Sequence, residues 1–218
     1  MVQRFLARAA VVAVCLGLLA ATGQAAVAAD RPLKIVLLGD SLTAGLGLPA
    51  KDAFPAKLTR ALKAKGVEIS DAGVSGDTAS AGLARVDWSA PEGTDAVIVE
   101  FGANDALRGV DPKTTRNALD AILRRLKARG IEVLLAGMYA PRNLGPDYVR
   151  AFDSIFPELA AAHGVIFYPF FLDGVAGERE FNQPDGVHPN AAGVDVIVAR
   201  ILPKVEELVI RVRAKPRS

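Results

Sequence analysis

The 218 residues carry 26 basic and 24 acidic side chains, two histidines, one cysteine and 51% hydrophobic residues. That length suits one domain with a sizeable core, and charges dispersed among a hydrophobic majority exclude a disordered or low-complexity chain. A net charge this close to neutral excludes the strong positive field that gathers nucleic acid, and a lone cysteine excludes a disulfide framework.

The N-terminus reads as an export signal. Arg4 and Arg8 precede an apolar run over residues 9–21, and Ala26, Val27 and Ala28 follow as a small-residue cleavage site. The run is shorter than the roughly 20 residues that a membrane span needs, and Val14 stands where a small residue would precede a lipid-modified Cys15. Removal of residues 1–28 is therefore expected, with residues 29–218 as a single periplasmic or secreted domain lacking a stable membrane anchor. Losing two arginines leaves 24 basic against 24 acidic residues and no thiol, which removes a catalytic cysteine and a thiolate metal site from consideration.

From residue 33 onward the pattern alternates. Residues 33–38 form an unbroken apolar run, as a strand covered on both faces requires, and 54–65 carry apolar residues at helical spacing. A weaker strand pattern follows at 67–70 and a strong one at 96–101. Residues 112–129 read as a helix that begins at Asp111-Pro112, an N-cap followed by proline in the first helical position, and closes on Gly130. Then come a strand at 131–136, a helix at 146–163, a strand at 165–170 and a helix at 190–212, whose basic end (Arg211, Arg213, Lys215, Arg217) suits a helix C-terminus. This alternation predicts an α/β fold, an open five-stranded parallel sheet with flavodoxin-like strand order, whose binding site lies beyond the carboxyl ends of the strands.

Three segments should meet at that edge: Gly39-Asp40-Ser41-Leu42, the stretch from Ala72 to Asp77, and Gly102-Ala103-Asn104-Asp105. A serine hydroxyl is a poor nucleophile until a neighbouring base takes its proton. His163 lies in the last turn of a predicted helix and reads as a partner of the helix dipole. His188 lies in a turn-rich loop, Asp185-Gly186-Val187-His188-Pro189-Asn190, and Asp185 three residues earlier can orient its ring. Taken alone, that hexapeptide serves equally well as a surface turn, and Gly39-Asp40-Ser41 alone is an ordinary turn. The Gly76 backbone amide and the Asn104 side-chain amide are candidate donors to a developing oxyanion. Separately, Gly76 could supply a positive φ and Asn104 a helix cap.

Together, Gly39-Asp40-Ser41-Leu42, Gly76, Gly102-x-Asn104-Asp105 and Asp185-x-x-His188 resemble the four blocks of the SGNH, or GDSL, hydrolases, in order and interval, across the whole mature chain. More narrowly, residues 38–45, Ser75-Gly76-Asp77-Thr78, Gly82-Leu83-Ala84-Arg85 and Asp185-Gly186-Val187-His188-Pro189-Asn190 are similar to the periplasmic thioesterase I, arylesterase and lysophospholipase group. The resemblance implies a three-layer flavodoxin-like fold, hydrolysis of small-molecule acyl esters and thioesters, and no metal or other cofactor; the sequence leaves the oligomeric state open, with a monomer favoured. It implies Ser41 as nucleophile, His188 as base, Asp185 orienting that base, and an oxyanion hole from the Ser41 and Gly76 amides with the Asn104 side chain. The third block of that group often reads Gly-Gly-Asn-Asp, whereas this chain has Ala103 at the second position, which bears on loop geometry. Leu107, Met138, Tyr139 and Leu144 are expected to wall the acyl groove, with Arg142 near a polar head group.

Three alternatives stand beside this reading. One is a carbohydrate O-acetylesterase of the same superfamily, disfavoured by a single tryptophan, Trp88, and three tyrosines. The second is a metal-dependent hydrolase using Asp40, Asp185 and His188 as ligands, and the third is a binding protein that keeps the fold without catalysis.

Overall fold

The computed structural model describes residues 31–215, so the expected leader over 1–28 and Arg217 lie outside the described residues. The chain divides into two units, Met1–Pro32 and Leu33–Ser218, and the fold that follows is that of the second. In chain order its elements are β1 (Leu33–Gly39), α1 (Ser41–Ala44), α2 (Phe54–Ala61), β2 (Val67–Gly73), α3 (Ala79–Ser89), β3 (Ala96–Glu100), α4 (Ala103–Leu107) and α5 (Pro112–Ala128). They continue with β4 (Glu132–Ala136), α6 (Pro146–Asp153), α7 (Ile155–His163), β5 (Ile166–Tyr168) and α8 (Ala191–Ala214).

The strands form one sheet in the order β2-β1-β3-β4-β5, every neighbouring pair parallel, which is the flavodoxin-like order read from the sequence. All five residues of β3 are buried, as are six of the seven in β1, because helices cover both faces. On one side α2 packs with α8, and on the other α5 packs against α3 and α7. α5 buries Ala118, Leu119, Ile122, Leu123 and Leu126, a stripe at helical spacing, and starts where expected because the Asp111 carboxylate accepts the Lys113 N–H.

Three expectations need correction. The predicted helix over 146–163 is two helices broken at Ser154. Pro157 has no N–H to donate and its ring would clash with a preceding turn, so the chain restarts and places Pro157 in the first turn of α7, where no donor is required. The weak strand at 67–70 runs on to Gly73 and pairs with β1 along its whole length. Its edge position leaves it half exposed, so it lacks the apolar run of the inner strands. Finally, α3 was not predicted as a helix. Its sequence holds Gly82 together with Ser80, Val86, Asp87, Trp88 and Ser89, none a strong helix former. Its N-terminus is capped by Thr78 Oγ1, which accepts the Ala81 N–H at 3.3 Å, and by a distant side chain, Asp105 Oδ2 accepting the Ala79 N–H at 2.9 Å.

Candidate active site

The site is built at the carboxyl ends of β1, β2 and β3. β1 ends on Gly39, and the single turn α1 folds straight back over the strand end. Asp40 caps that turn, its Oδ1 accepting the Leu42 N–H at 2.9 Å, and Gly45 closes it by returning its N–H to the Ser41 carbonyl. A Cβ at Gly39 would stand 2.1 Å from Thr43 Oγ1 and 2.8 Å from the Glu100 carbonyl, so only glycine lets the turn approach the sheet. Ser41 is therefore held at the edge, 7% exposed, with its Oγ 2.9 Å from His188 Nε2.

His188 sits in a loop pinned at both ends. Gln183 N–H donates to the His188 carbonyl, and Asn182 pairs with Pro189 across an antiparallel bridge. Asp185 folds over its own loop: Oδ1 accepts the Val187 and His188 N–H groups at 2.9 and 3.0 Å, and Oδ2 lies 2.7 Å from His188 Nδ1. The His188 N–H, then the Val187 N–H and the imidazole hold the Asp185 pKa down at about 2. A carboxylate only accepts, so Nδ1 must carry the ring proton, which leaves Nε2 as acceptor toward the serine hydroxyl.

Asn104 ties the remaining loops together. Its Nδ2 donates to Asp40 Oδ2 at 3.0 Å and to the Asp77 carbonyl at 3.0 Å. It thus touches the residue before Ser41 and the residue after Gly76, and both amide hydrogens are engaged. Gly76 turns with φ 87°, and its carbonyl accepts from Arg108 at 2.8 Å. The strained backbone of this third block falls on Gly102, φ 121°, while Ala103 opens α4 in helical conformation. The departure from Gly-Gly-Asn-Asp therefore places no side chain in a disfavoured conformation.

Beneath the turn lie acidic groups whose part in the site sequence reasoning missed. Asp40 and Glu100 are both fully buried. Thr43 Oγ1 donates to Glu100 Oε2 at 2.8 Å, and among the described residues Oε1 meets no partner. Burial, and then the charge of Asp40, pushes the Glu100 carboxyl well above its ordinary range, and burial raises Asp40 to about 6 against the Leu42 N–H, the Asn104 amide and His188. The only signal in the sequence was an acid closing an otherwise apolar strand. Asp105, also buried, accepts from Ala79 N–H and Thr115 Oγ1 and so joins the starts of α3 and α5.

A groove of about 370 Å³ opens beside these loops, with Ala103, Leu107, Met138, Tyr139, Phe170 and Val187 among its walls. Ala103 and Val187 are the chain neighbours of Asn104 and His188. Leu144, expected in this wall, does not line the groove and instead packs on the core. Its short 3-10 turn over Arg142–Leu144 faces it inward, next to the start of α6. Arg142 is at the groove, but its guanidinium is paired with Asp153 Oδ2 at 2.7 Å and lies over the Tyr139 ring, so it is not a free cation awaiting a head group. His163 is elsewhere, its Nε2 2.7 Å from Asp120 on α5. Among the described residues no group of three or more His, Cys, Asp or Glu side chains is placed to hold a metal ion.

A parallel sheet between helix layers, with serine, histidine and aspartate in hydrogen-bond contact at its carboxyl edge, defines an α/β protein of the hydrolase class. Residues 37–196 match the GDSL-like lipase/acylhydrolase family, and the chain belongs to that family, the SGNH hydrolases. It is 35% identical to the esterase TesA of Pseudomonas aeruginosa over 92% of this chain and 99% of that protein. It is 40% identical to the Escherichia coli protein named thioesterase 1/protease 1/lysophospholipase L1, over 76% of this chain and 78% of the relative. Among solved structures it resembles AlinE4, an SGNH-hydrolase family esterase, with a TM-score of 0.69 and 43% identity over 82% of this chain and 97% of that one.

Proposed function

We propose that this SGNH enzyme is an exported esterase and thioesterase that works through an acyl-enzyme on Ser41. The observation that carries the reading is the unbroken contact chain from Ser41 Oγ to His188 Nε2, 2.9 Å, and from His188 Nδ1 to Asp185 Oδ2, 2.7 Å. Ser41 Oγ attacks the acyl carbonyl while its proton passes to Nε2, and Asp185 stabilises the imidazolium so formed. The new oxyanion is received by the Ser41 and Gly76 N–H groups and by Asn104, one of whose two amide hydrogens must be shared or released from Asp40 or Asp77. Collapse expels the alkoxide or thiolate, which takes the proton from His188. Water then repeats the cycle on the acyl-serine and frees the acid.

The apolar groove favours hydrocarbon acyl groups, in keeping with relatives named esterase, thioesterase and lysophospholipase. Export, with residues 29–218 the mature domain, rests on the leader read in the sequence; among the described residues no helix is long and apolar enough to cross a membrane. The test is Ser41→Ala assayed on nitrophenyl esters and acyl thioesters together with labelling by a serine-reactive phosphonate. Loss of both hydrolysis and labelling in a folded variant is expected, and a near-normal rate from Ser41→Ala refutes the reading.

A further inference from the structure

Arg85 is nine-tenths buried and makes no hydrogen bond to Ser41, His188 or Asp185, yet all of its hydrogen bonds outside its own helix fall on the strand ends and the loop that lead to the proposed oxyanion donors. Its Nε donates to Asp77 Oδ2 at 2.7 Å, Nη1 to the Ala72 carbonyl at 2.7 Å and to Ser89 Oγ at 3.1 Å, and Nη2 to the Gly39 carbonyl at 2.8 Å. Its guanidinium also lies 5.7 Å from the centroid of the Phe101 ring. The approach is possible because Gly82 presses α3 onto that ring, where a Cβ would stand 2.3 Å from Phe101 Cζ.

Each acceptor belongs to a different part of the site. The Gly39 carbonyl ends β1 two residues before Ser41, and it also takes the Val74 N–H that begins the Gly76 loop. Ala72 is at the end of β2. Asp77 follows Gly76, and its own carbonyl is one of the two acceptors of Asn104. A planar fork that reaches several acceptors at fixed angles is a property of arginine, and a lysine ammonium cannot reproduce it. A buried guanidinium is tolerated only when its donors are engaged, so the cluster holds together or fails together.

We propose that Arg85 is a positioning residue of the oxyanion hole, fixing the ends of β1 and β2 and Asp77 in one rigid cluster so that the Ser41 and Gly76 amides and Asn104 face a common point. This rests on the proposed roles of Ser41, Gly76 and Asn104. Oxyanion donors act at about 2.7 to 3.1 Å, and misplacement by about 1 Å costs on the order of 10² in rate, so loosening the cluster should lower kcat rather than substrate binding.

The experiment compares Arg85→Lys, Arg85→Met and Asp77→Asn with the unaltered enzyme on nitrophenyl butyrate. Reactive serines are counted by phosphonate labelling carried to completion, thermal melting is followed, and the pH dependence of kcat/KM is recorded. Arg85→Lys should lose about ten- to a hundred-fold in kcat per reactive serine, with KM within about two-fold and the acid limb in place. Lower melting temperature with unchanged kcat per reactive serine would overturn the proposal and leave Arg85 a stabilising residue only. If the Arg85 variants do not fold, Asp77→Asn decides, since it leaves the contacts to Gly39 and Ala72; it should show the same kcat-only loss at about three- to ten-fold, and normal kcat there overturns the inference. Hydrolysis persisting in Ser41→Ala would instead remove the underlying reading, whereas an inactive Ser41→Ala beside fully active Arg85 variants removes this inference alone.

Discussion

Truncating Met138 to alanine should erase a preference for medium-chain over acetyl esters. Met138 follows β4, is 3% exposed, and forms part of the groove with Leu107, Tyr139 and Phe170. Tyr139 and Phe170, also in the groove wall, brace each other with ring centroids 4.7 Å apart, so these rings should not collapse into the space that the methionine leaves. If the truncation withdraws contact from two methylenes of the acyl chain, at about 0.8 kcal/mol each, the loss is about 1.6 kcal/mol, roughly fifteen-fold in kcat/KM. An acetyl group is too short to extend along the groove and should lose less than about two-fold. Truncating a buried methionine also costs about 2 to 5 kcal/mol of stability, so rates must be expressed per reactive Ser41. The assay is kcat/KM for nitrophenyl acetate, butyrate and octanoate, with Leu144→Ala as comparison. Leu144 packs on the core and not on the groove, so its truncation should affect all chain lengths alike. Equal losses across chain length for Met138→Ala, or chain-length selectivity in Leu144→Ala alone, would refute the assignment and move the acyl groove elsewhere, toward residues 107–110.

Asn104→Ala should lower kcat by about 10² to 10³ with little change in KM; a rise in KM alone would make Asn104 a substrate-binding residue. Asp185→Asn should lower kcat by up to about 10⁴, because an amide at that place no longer demands the Nδ1–H tautomer, and full activity there would sink the role given to Asp185. A protonated imidazole cannot accept the serine proton, so kcat/KM should show an acid limb that Asp185, its pKa held at about 2, does not supply; a rate flat down to about pH 4 would argue against a histidine base. For stability the sign is opposite to that of a salt-bridged carboxylate. Asp40 and Glu100 keep in the folded state protons that the unfolded chain releases at their ordinary values of 3.8 and 4.5. The stabilisation is therefore complete below those values and is lost as pH rises, through about 6 for Asp40 and through the raised range of Glu100. Glu100→Gln removes one of these costs, so its melting temperature relative to the unaltered protein should rise between pH 4.5 and pH 8, and a difference independent of pH would show that Glu100 does not titrate on unfolding.

What could be read without the structure was what is local or periodic. Unbroken apolar runs identified the inner strands, because a strand covered on both faces needs no alternation, and Asp111-Pro112 with Gly130 delimited α5 because caps are short-range chemistry. Asp185 and His188, three residues apart, could be placed on one turn from spacing alone. The contact between Ser41 and His188 spans 147 positions, and only the return of α8 across the sheet brings the loop before it onto the β1 edge. The break at Ser154 was visible in principle through Pro157; α3 offered only its Thr78 cap ahead of a stretch of weak helix formers, and Asp105 from another loop completes its start. Met138 and Leu144 look alike as apolar loop residues; both pack on the core, and the backbone path from β4 to α6 puts only Met138 in the groove wall as well. Glu100 and Arg85 read in sequence as a strand-end acid and a helix cation. Their place under and beside the nucleophile turn comes from the parallel register that sets Gly39 against both Gly73 and Glu100, a pairing between distant segments that no local pattern encodes.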